Sequence, residues 1–193
     1  MVRSSGAPES KGGSGELRNH LALVGLMGVG KTEVGAAVAR RMGRRHVDLD
    51  RAITQLAGKS VGVIFHESGE EEFRELESEC LALQLEAKDP IVLSTGGGVL
   101  ERDENRAAMA AVTVAWLRAT PVTLAKRVAG GAGRPLLAGG DPLTILDDLS
   151  KVRSPSYKAA ANLVVDTDGL SVDEVADTLL NALANRKTAG GRL

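Results

Sequence analysis

The chain has 193 residues, with 24 Lys and Arg against 25 Asp and Glu, so its formal charge at pH 7 is −1. This length supports one domain with a sizeable core. The balanced charge gives no net basic field for nucleic acid, although arginines could still cluster locally, and the small set of aromatics (two Phe, one Trp, one Tyr) disfavours a base-stacking surface. The single cysteine, Cys80, excludes an internal disulfide and a cysteine-based metal site, and indicates a reducing, cytoplasmic setting.

The two ends of the chain differ in composition from the middle. Residues 1–19 are rich in Ser and Gly without apolar periodicity and predict a disordered tail, and residues 187–193 predict a flexible C-terminal tail. No apolar run approaches the length of a membrane span, and the N-terminus lacks a signal-peptide core. We therefore expect one domain over residues 20–186, with no membrane contact.

Between these tails, short apolar runs alternate with segments of helical periodicity. Strands are predicted at 21–25, 45–49, 91–95, 112–118 and 162–166. Helices are predicted at 31–42, 51–57, 61–68, 70–88, 101–111, 121–129, 142–160 and 172–185. The last helix opens with the capping box Ser171-Val-Asp-Glu174. Five strands separated by helices imply an α/β fold with a parallel sheet, whose ligands gather at the carboxyl ends of the strands.

The first strand leads into the phosphate-binding pattern Gly25-Leu-Met-Gly28-Val-Gly30-Lys31-Thr32. Glycines allow such a loop to turn its backbone N–H groups toward phosphate, and the helix that follows adds its N-terminal dipole. Lys31 can reach the β- and γ-phosphates, and the Thr32 hydroxyl can ligate Mg²⁺. The alternative is a glycine-rich turn in an ordinary βα unit, but the strand–loop–helix context favours a nucleotide-phosphate site.

Two carboxylates, Asp48 and Asp50, close the second strand. Because residues two apart on a strand share a face, we expect both to point the same way. One can hold Mg²⁺ while the other accepts a proton from a hydroxyl, and their proximity would raise one pKa. The alternative is a polar strand end at which Asp50 caps the helix that starts at Arg51.

The third strand ends at Ser94, where many phosphate-loop proteins have a metal-associated Asp, so Asp48 becomes the expected metal carboxylate. Three glycines follow at Gly96, Gly97 and Gly98, more than a turn requires, and they would let a small ligand approach the backbone. A flexible loop is the alternative interpretation.

Three arginines are candidates for binding anions. Arg134 lies in the glycine-rich segment 130–140, which is typical of a mobile lid carrying a cation onto transferring phosphates. Arg74 and Arg153 lie on helices; if both face the cleft, they could clamp a carboxylate, with Glu77 holding Arg74 in place. Solvated helix and loop arginines are the alternative.

In this combination and order, the motifs resemble those of shikimate kinases, in the nucleoside-monophosphate-kinase-like group of P-loop proteins, over residues 20–185. The resemblance implies a three-layer α/β/α fold, a parallel sheet of order 2-3-1-4-5 and a mobile lid around Arg134. It also implies a monomeric, cytoplasmic enzyme that uses ATP to phosphorylate the 3-hydroxyl of shikimate, in the chorismate route to aromatic amino acids.

The resemblance also assigns roles to residues. Asp50 would orient or deprotonate the attacking hydroxyl, while Lys31 and Arg134 would balance the moving phosphoryl charge. Thr32 and Asp48 would hold Mg²⁺. Shikimate would contact Asp50, Arg74, Gly96, Gly97, Gly98 and Arg153. ATP would contact Gly28, Val29, Gly30, Lys31, Thr32, Glu33, Arg127 and Arg134, with Arg127 against adenine.

Three other functions remain open from the residues. A related small-molecule kinase such as gluconate kinase also accepts a carboxylated polyol, but the triple glycine and the Phe73-Arg74 pair favour shikimate. A GTP-dependent switch should carry an Asn-Lys-x-Asp motif on a late strand end, and the sequence has none. A nucleotide-binding module without turnover is disfavoured by Lys31, Asp50 and Arg134. Residues 166–169, where the resemblance places an adenine-side loop, carry no basic side chain.

Overall fold

The computed structural model describes residues 20–129 and 140–190, and within them all five predicted strands form one parallel sheet. The strands are β1 (Leu21–Val24), β2 (Arg45–Asp48), β3 (Ile91–Ser94), β4 (Thr113–Arg118) and β5 (Leu163–Asp166). Their order across the sheet is β2-β3-β1-β4-β5, which confirms the predicted topology.

Helices cover both faces of this sheet, as the α/β pattern predicts. In the described residues they are α1 (Lys31–Met42), α2 (Leu49–Ala57), α3 (Val61–Glu67), α4 (Gly69–Leu85), α5 (Asp103–Met109), α6 (Pro121–Val128), α7 (Pro142–Ala160) and α8 (Val172–Gly190). Helix α1 packs on β2, β3 and α8, and α6 packs on α7. The connections between strands and helices therefore bring the carboxyl ends of the strands to one edge.

The core lies around the central strands. All four residues of β1 and of β3 are buried, as expected for strands that are covered on both faces. Cys80 is also buried, as a small core side chain. The Trp116 and Tyr157 rings, 5.7 Å apart, join β4 to α7. The core thus fixes α7, and with it Arg153, against the sheet.

Two helix ends show how local chemistry sets the boundaries. Helix α2 begins at Leu49, two residues earlier than predicted, because Asp48 rather than Asp50 is its N-cap: its Oδ1 accepts from the Arg51 N–H at 3.1 Å. At α8 the predicted capping box is confirmed, since the Ser171 N–H donates to Glu174 Oε2 at 2.8 Å. Helix α8 continues to Gly190, five residues beyond its predicted end.

Several predicted features lie outside the described residues: the N-terminal tail at 1–19, residues 130–139 of the lid with Arg134, and the last residues 191–193. The boundaries of the domain and of both tails remain predictions. In the part of the chain that is described, no helix is both long and apolar enough to cross a membrane.

Candidate active site

A cleft of about 540 Å³ opens at the carboxyl edge of the sheet, a volume in the usual range for small-molecule sites. The segment 27–34 of the glycine-rich loop forms one wall, and Asp48, Asp50 and residues 95–97 form another. Every residue of the described chain predicted to contact ATP lines this cleft: Gly28, Val29, Gly30, Lys31, Thr32, Glu33 and Arg127.

The loop reaches its shape through glycine at positions of positive φ. Gly30, the residue before α1, has φ 97°, and Gly28 has φ 81°. The Lys31 ammonium donates to the loop carbonyls of Gly25 at 2.8 Å and Leu26 at 3.0 Å, so it stays over the loop. The loop, the helix N-terminus and this cation all favour an anion at the same place.

Thr32 and Asp48 meet at the floor of the cleft. The Thr32 hydroxyl donates to Asp48 Oδ2 at 2.6 Å, while the other Asp48 oxygen caps α2. No cluster of three or more His, Cys, Asp or Glu able to hold a metal occurs among the described residues. A hydroxyl and one carboxylate suit Mg²⁺, which is usually bound by one or two carboxylates together with substrate phosphates.

Asp50 reaches the cleft by a different route from the one predicted. It lies in the first turn of α2 and not on a strand, so the argument that it shares a strand face with Asp48 is wrong, although both residues line the cleft. Desolvation by the surrounding protein and then the charge of Asp48 raise the pKa of Asp50, against the opposing effects of Lys31 and Arg74. A raised pKa was expected from the paired carboxylates.

The three glycines after β3 each leave room for one charged group. A Cβ at Gly98 would lie 2.6 Å from the Arg74 Cζ, and one at Gly96 would lie 2.5 Å from Glu77 Oε1. A Cβ at Gly97 would lie 3.4 Å from Arg153 Nη1. Gly96 and Gly98 are therefore required because charged side chains pack directly against the backbone, whereas the contact at Gly97 would be an ordinary one.

Arg74 is buried and paired on its own helix. Its Nη1 lies 2.8 Å from Glu77 Oε2, as predicted, and its Nη2 lies 3.0 Å from Glu70 Oε1. Burial acts to lower the pKa of Arg74, but Glu77, Glu101 and Glu70 outweigh it and raise that pKa. Burial also raises the pKa of Glu77, which Arg74 partly offsets. The interpretation of Arg74 as a solvated helix residue is wrong.

Arg153 approaches the same place from α7 and is equally buried. It pairs with Glu101, a residue that the sequence analysis missed; Glu101 Oε1 lies 2.7 Å from Arg153 Nε. The Tyr157 hydroxyl donates to the Gly97 carbonyl, which joins α7 to the glycine loop. The one signal in the sequence for Glu101 is its position three residues after Gly98. Its partner Arg153 lies 52 residues further along the chain, so no local pattern links the two.

Ser94 links three elements of the site through hydrogen bonds of its side chain. Its hydroxyl donates to the Lys31 carbonyl at 2.7 Å and lies 2.9 Å from His46 Nε2, so the hydrogen of this contact belongs to His46. Burial lowers the pKa of His46, which favours that neutral donor; the charge of Asp48 opposes the shift. The pair ties the start of α1 to β2 and β3.

The far end of the cleft is formed by Arg127, Thr167 and the apolar side chains of Leu170, Val172 and Val175. Arg127 donates to Thr167 Oγ1 at 2.9 Å and to the Thr167 carbonyl at 2.7 Å. The segment 166–169 thus contributes without a basic residue of its own, because Arg127 reaches it from α6. An apolar slot beside a planar guanidinium suits a nucleobase.

The predicted residues fall into two groups. Those assigned to ATP and Mg²⁺ line the open cleft with Asp50, Gly96 and Gly97. Arg74, Gly98 and Arg153 are buried and do not line the open cleft. Arg134 lies outside the described residues.

Comparisons with known proteins point to one family. The family model described as shikimate kinase matches residues 27–184. A shikimate kinase of Symbiobacterium thermophilum is 43% identical over 174 residues, which cover 89% of this chain and 99% of the relative. A second, from Ruegeria pomeroyi, is 37% identical and covers 96% of this chain and 95% of its own length.

Solved structures give the same result. A shikimate kinase from Acinetobacter baumannii in complex with shikimate has a TM-score of 0.86 at 31% identity, over 89% of this chain and 96% of its own. A gluconokinase from Sinorhizobium meliloti has a TM-score of 0.60 at 18% identity, a likeness that shows the fold alone. The chain thus belongs to the shikimate kinase family, and its activity is the ATP-dependent phosphorylation of the 3-hydroxyl of shikimate.

Proposed function

We propose that phosphoryl transfer takes place where Asp50 meets the phosphate loop, with ATP in the open cleft and shikimate between Asp50 and the buried arginines. One observation supports this most strongly: Asp50 lines the cleft beside Lys31, and its charge interacts with both Lys31 and Arg74. It is therefore the residue common to the phosphate side and the acid side.

Asp50 orients the 3-hydroxyl of shikimate and accepts its proton as the oxygen attacks the γ-phosphorus. The raised pKa of Asp50 supports this role, since a base works best when its pKa approaches the working pH. The transfer otherwise depends on positioning and on charge stabilisation.

Charge on the moving phosphoryl group is balanced by Lys31 and, from the lid, by Arg134. The triphosphate lies along Gly28, Val29, Gly30, Thr32 and Glu33, with the adenine beside Arg127. Thr32 and Asp48 hold Mg²⁺, which neutralises phosphate charge when bound. Their 2.6 Å contact at the floor of the cleft supports this pairing.

The acid group of shikimate is held by Arg74 and Arg153, and its ring lies against the backbone of Gly96, Gly97 and Gly98. Two unpartnered donors support this assignment: within the described chain, Arg74 Nε and Arg153 Nη1 are buried without a hydrogen-bond partner. Buried unpaired donors are costly, and a bound carboxylate would satisfy them.

We further propose that the enzyme is a cytoplasmic monomer of one domain over residues 20–186. Size-exclusion chromatography can check the oligomeric state.

A coupled assay of ADP release tests the metal and the acceptor together. Shikimate, gluconate and nucleoside monophosphates are offered side by side, with Mg²⁺ and with excess chelator. Of the three acceptors, we expect only shikimate to be phosphorylated. This activity should be lost when the metal is chelated and restored when Mg²⁺ is added back. Asp48→Asn should raise the Mg²⁺ concentration needed for half-maximal rate and leave the KM for shikimate unchanged; full activity in chelator would refute the metal role.

A further inference from the structure

The two arginines assigned to the substrate's acid group already share a carboxylate, that of Glu101. Glu101 Oε1 lies 2.7 Å from Arg153 Nε and 2.5 Å from Arg153 Nη2, while Oε2 lies 3.0 Å from Arg74 Nη2. One carboxylate thus bridges guanidinium groups from two helices, α4 and α7. This is the contact that an acidic ligand would make with the same pair.

Burial shows which of these groups can move. The exposed fraction of the side chain is 7% for Arg74, 6% for Arg153 and 0% for Glu77, but 38% for Glu101. A ligand cannot reach two guanidiniums that are so well covered unless a covering group leaves. Glu70, which also pairs with Arg74, is 52% exposed, but of the two exposed glutamates only Glu101 contacts both arginines.

Charge leads to the same conclusion. Arg74 and Arg153 face three glutamates, Glu70, Glu77 and Glu101, so the cluster has no positive charge left for an incoming anion. Like charges at such distances repel strongly when they are shielded from water. If Glu101 withdraws, two guanidiniums face two carboxylates, and a third carboxylate can take its place.

The backbone at Glu101 is anchored, so only the side chain has to move. The Glu101 N–H donates to the Gly98 carbonyl at 2.9 Å, and the Glu101 carbonyl accepts from Arg106 Nη1 at 2.8 Å. Rotation of an exposed glutamate side chain is fast and inexpensive compared with movement of a loop.

We propose that Glu101 occupies the position of the substrate's carboxylate and is displaced when shikimate binds, so that this residue sets the affinity for the acid substrate. The inference rests on the proposed roles of Arg74 and Arg153. Shikimate binds the form from which Glu101 has withdrawn, and the apparent dissociation constant is the intrinsic one divided by the population of that form.

Removal of the competing charge tests this inference. In Glu101→Gln and Glu101→Ala, the KM for shikimate should fall about tenfold, as expected when a binding-competent state rises from about 10% to full population. The KM for ATP should not change. Glu104→Gln is the matched control, because Glu104 is a nearby exposed glutamate that pairs with Arg102 at 3.1 Å and should leave both constants unchanged.

The methyl ester of shikimate provides a second measurement. The ester must occupy the same position, so its KM should also fall in Glu101→Gln, although it stays above that of shikimate because an ester cannot pair with the arginines. Glu101→Asp, which is one methylene shorter and cannot span both guanidiniums as well, should give a KM for shikimate between those of the wild type and Glu101→Ala. Thermal denaturation confirms that each variant is folded.

Two results would overturn the inference. A higher KM for shikimate in folded Glu101→Gln would mean that Glu101 positions the arginines for the substrate, and an unchanged KM would mean that the bridge does not affect binding. Arg153→Ala separates this inference from the proposed function. If Arg153→Ala leaves the KM for shikimate unchanged, the proposed clamp itself is wrong; if that KM rises while Glu101→Gln has no effect, only the role of Glu101 is wrong.

Discussion

The two halves of the site prepare for anions in opposite ways. The phosphate half comes from one continuous segment, 25–32, and leaves an open cleft lined by backbone and by Lys31. The acid half is assembled from α4, α7 and the loop after β3, and it holds two buried arginines in ion pairs. An anion site can thus be made of local backbone geometry, or of side chains that only tertiary packing brings together.

This difference has an energetic consequence. Backbone N–H groups and a helix dipole attract phosphate without placing a full charge inside the protein. Arg74 and Glu77 do place full charges there, and a buried pair becomes costly as soon as one partner is removed. Substitutions in the phosphate half should therefore affect mainly catalysis, whereas substitutions in the acid half should affect stability as well.

The largest effect is expected at Asp50, where the halves meet. Asp50→Asn should lower kcat about 10⁴-fold, because the general base is lost. The pKa of Asp50 is raised in the folded protein, which therefore binds this proton more tightly than the unfolded chain does. The free energy of unfolding consequently falls as the pH rises from the ordinary aspartate pKa through the raised one. The variant should therefore melt higher than the wild type at neutral pH. Near-normal kcat would remove Asp50 from the mechanism; Asp147→Asn, an exposed aspartate on α7, is the control.

Loss of the lid cation should come next. Arg134→Ala should lower kcat about 10³-fold, the smaller end of what an arginine contributes to phosphoryl transfer, and leave the melting temperature unchanged. Steady-state kinetics measure this loss of kcat. Arg118→Ala is the control, because Arg118 is a half-exposed arginine that pairs with Asp166. An unchanged rate would make the glycine-rich segment a plain loop.

Arg74→Ala should show the double effect of the acid half. We expect the KM for shikimate to rise about 100-fold with little change for ATP, and stability to fall by about 3–5 kcal/mol because Glu77 is left buried and unpaired. The stability deficit should shrink as pH falls and Glu77 takes up a proton. Chemical denaturation at several pH values measures this, with Thr32→Ala as the phosphate-half comparison, which should lose activity but little stability. Equal losses for both substrates would contradict the clamp.

The smallest effect is expected at His46. Its pKa is lowered in the folded protein, so the unfolded chain binds a proton first, and stability falls as pH drops below the ordinary imidazole pKa of about 6.5. His46→Gln should remove this part of the acid sensitivity, less than about 1 kcal/mol for a partly exposed group. His66→Gln, at an exposed position, is the control for the substitution itself. Identical curves for His46→Gln and the wild type would refute the effect.

The phosphate half and the acid half also differ in how far they could be predicted from the sequence. Apolar runs and helix signals placed every strand to within one residue at each end, because these patterns act over a few residues. The phosphate loop and α1 were predicted for the same reason. Asp48 and Asp50 both line the cleft, but the argument that placed them on one strand face is wrong: the capping carboxylate of Asp48 starts the helix early and moves Asp50 off the strand.

The acid half was only partly predictable. The pairing of Arg74 with Glu77 follows from their spacing of three residues on a helix. The bridge from Glu101 to Arg153 spans 52 residues and depends on how α7 packs across the sheet, which no local pattern encodes. That Arg153 is buried at all follows from the same packing, since helix arginines are ordinarily exposed.

The fit of Gly98 beneath the Arg74 guanidinium limits how this enzyme could be redesigned. A methyl group at that position would overlap the guanidinium carbon at 2.6 Å, so even alanine would push the arginine off its glutamate partner. Enlarging the pocket for a bulkier acid must therefore leave the glycine triplet intact. Side chains that project from the opposite wall offer the freedom that the triplet lacks.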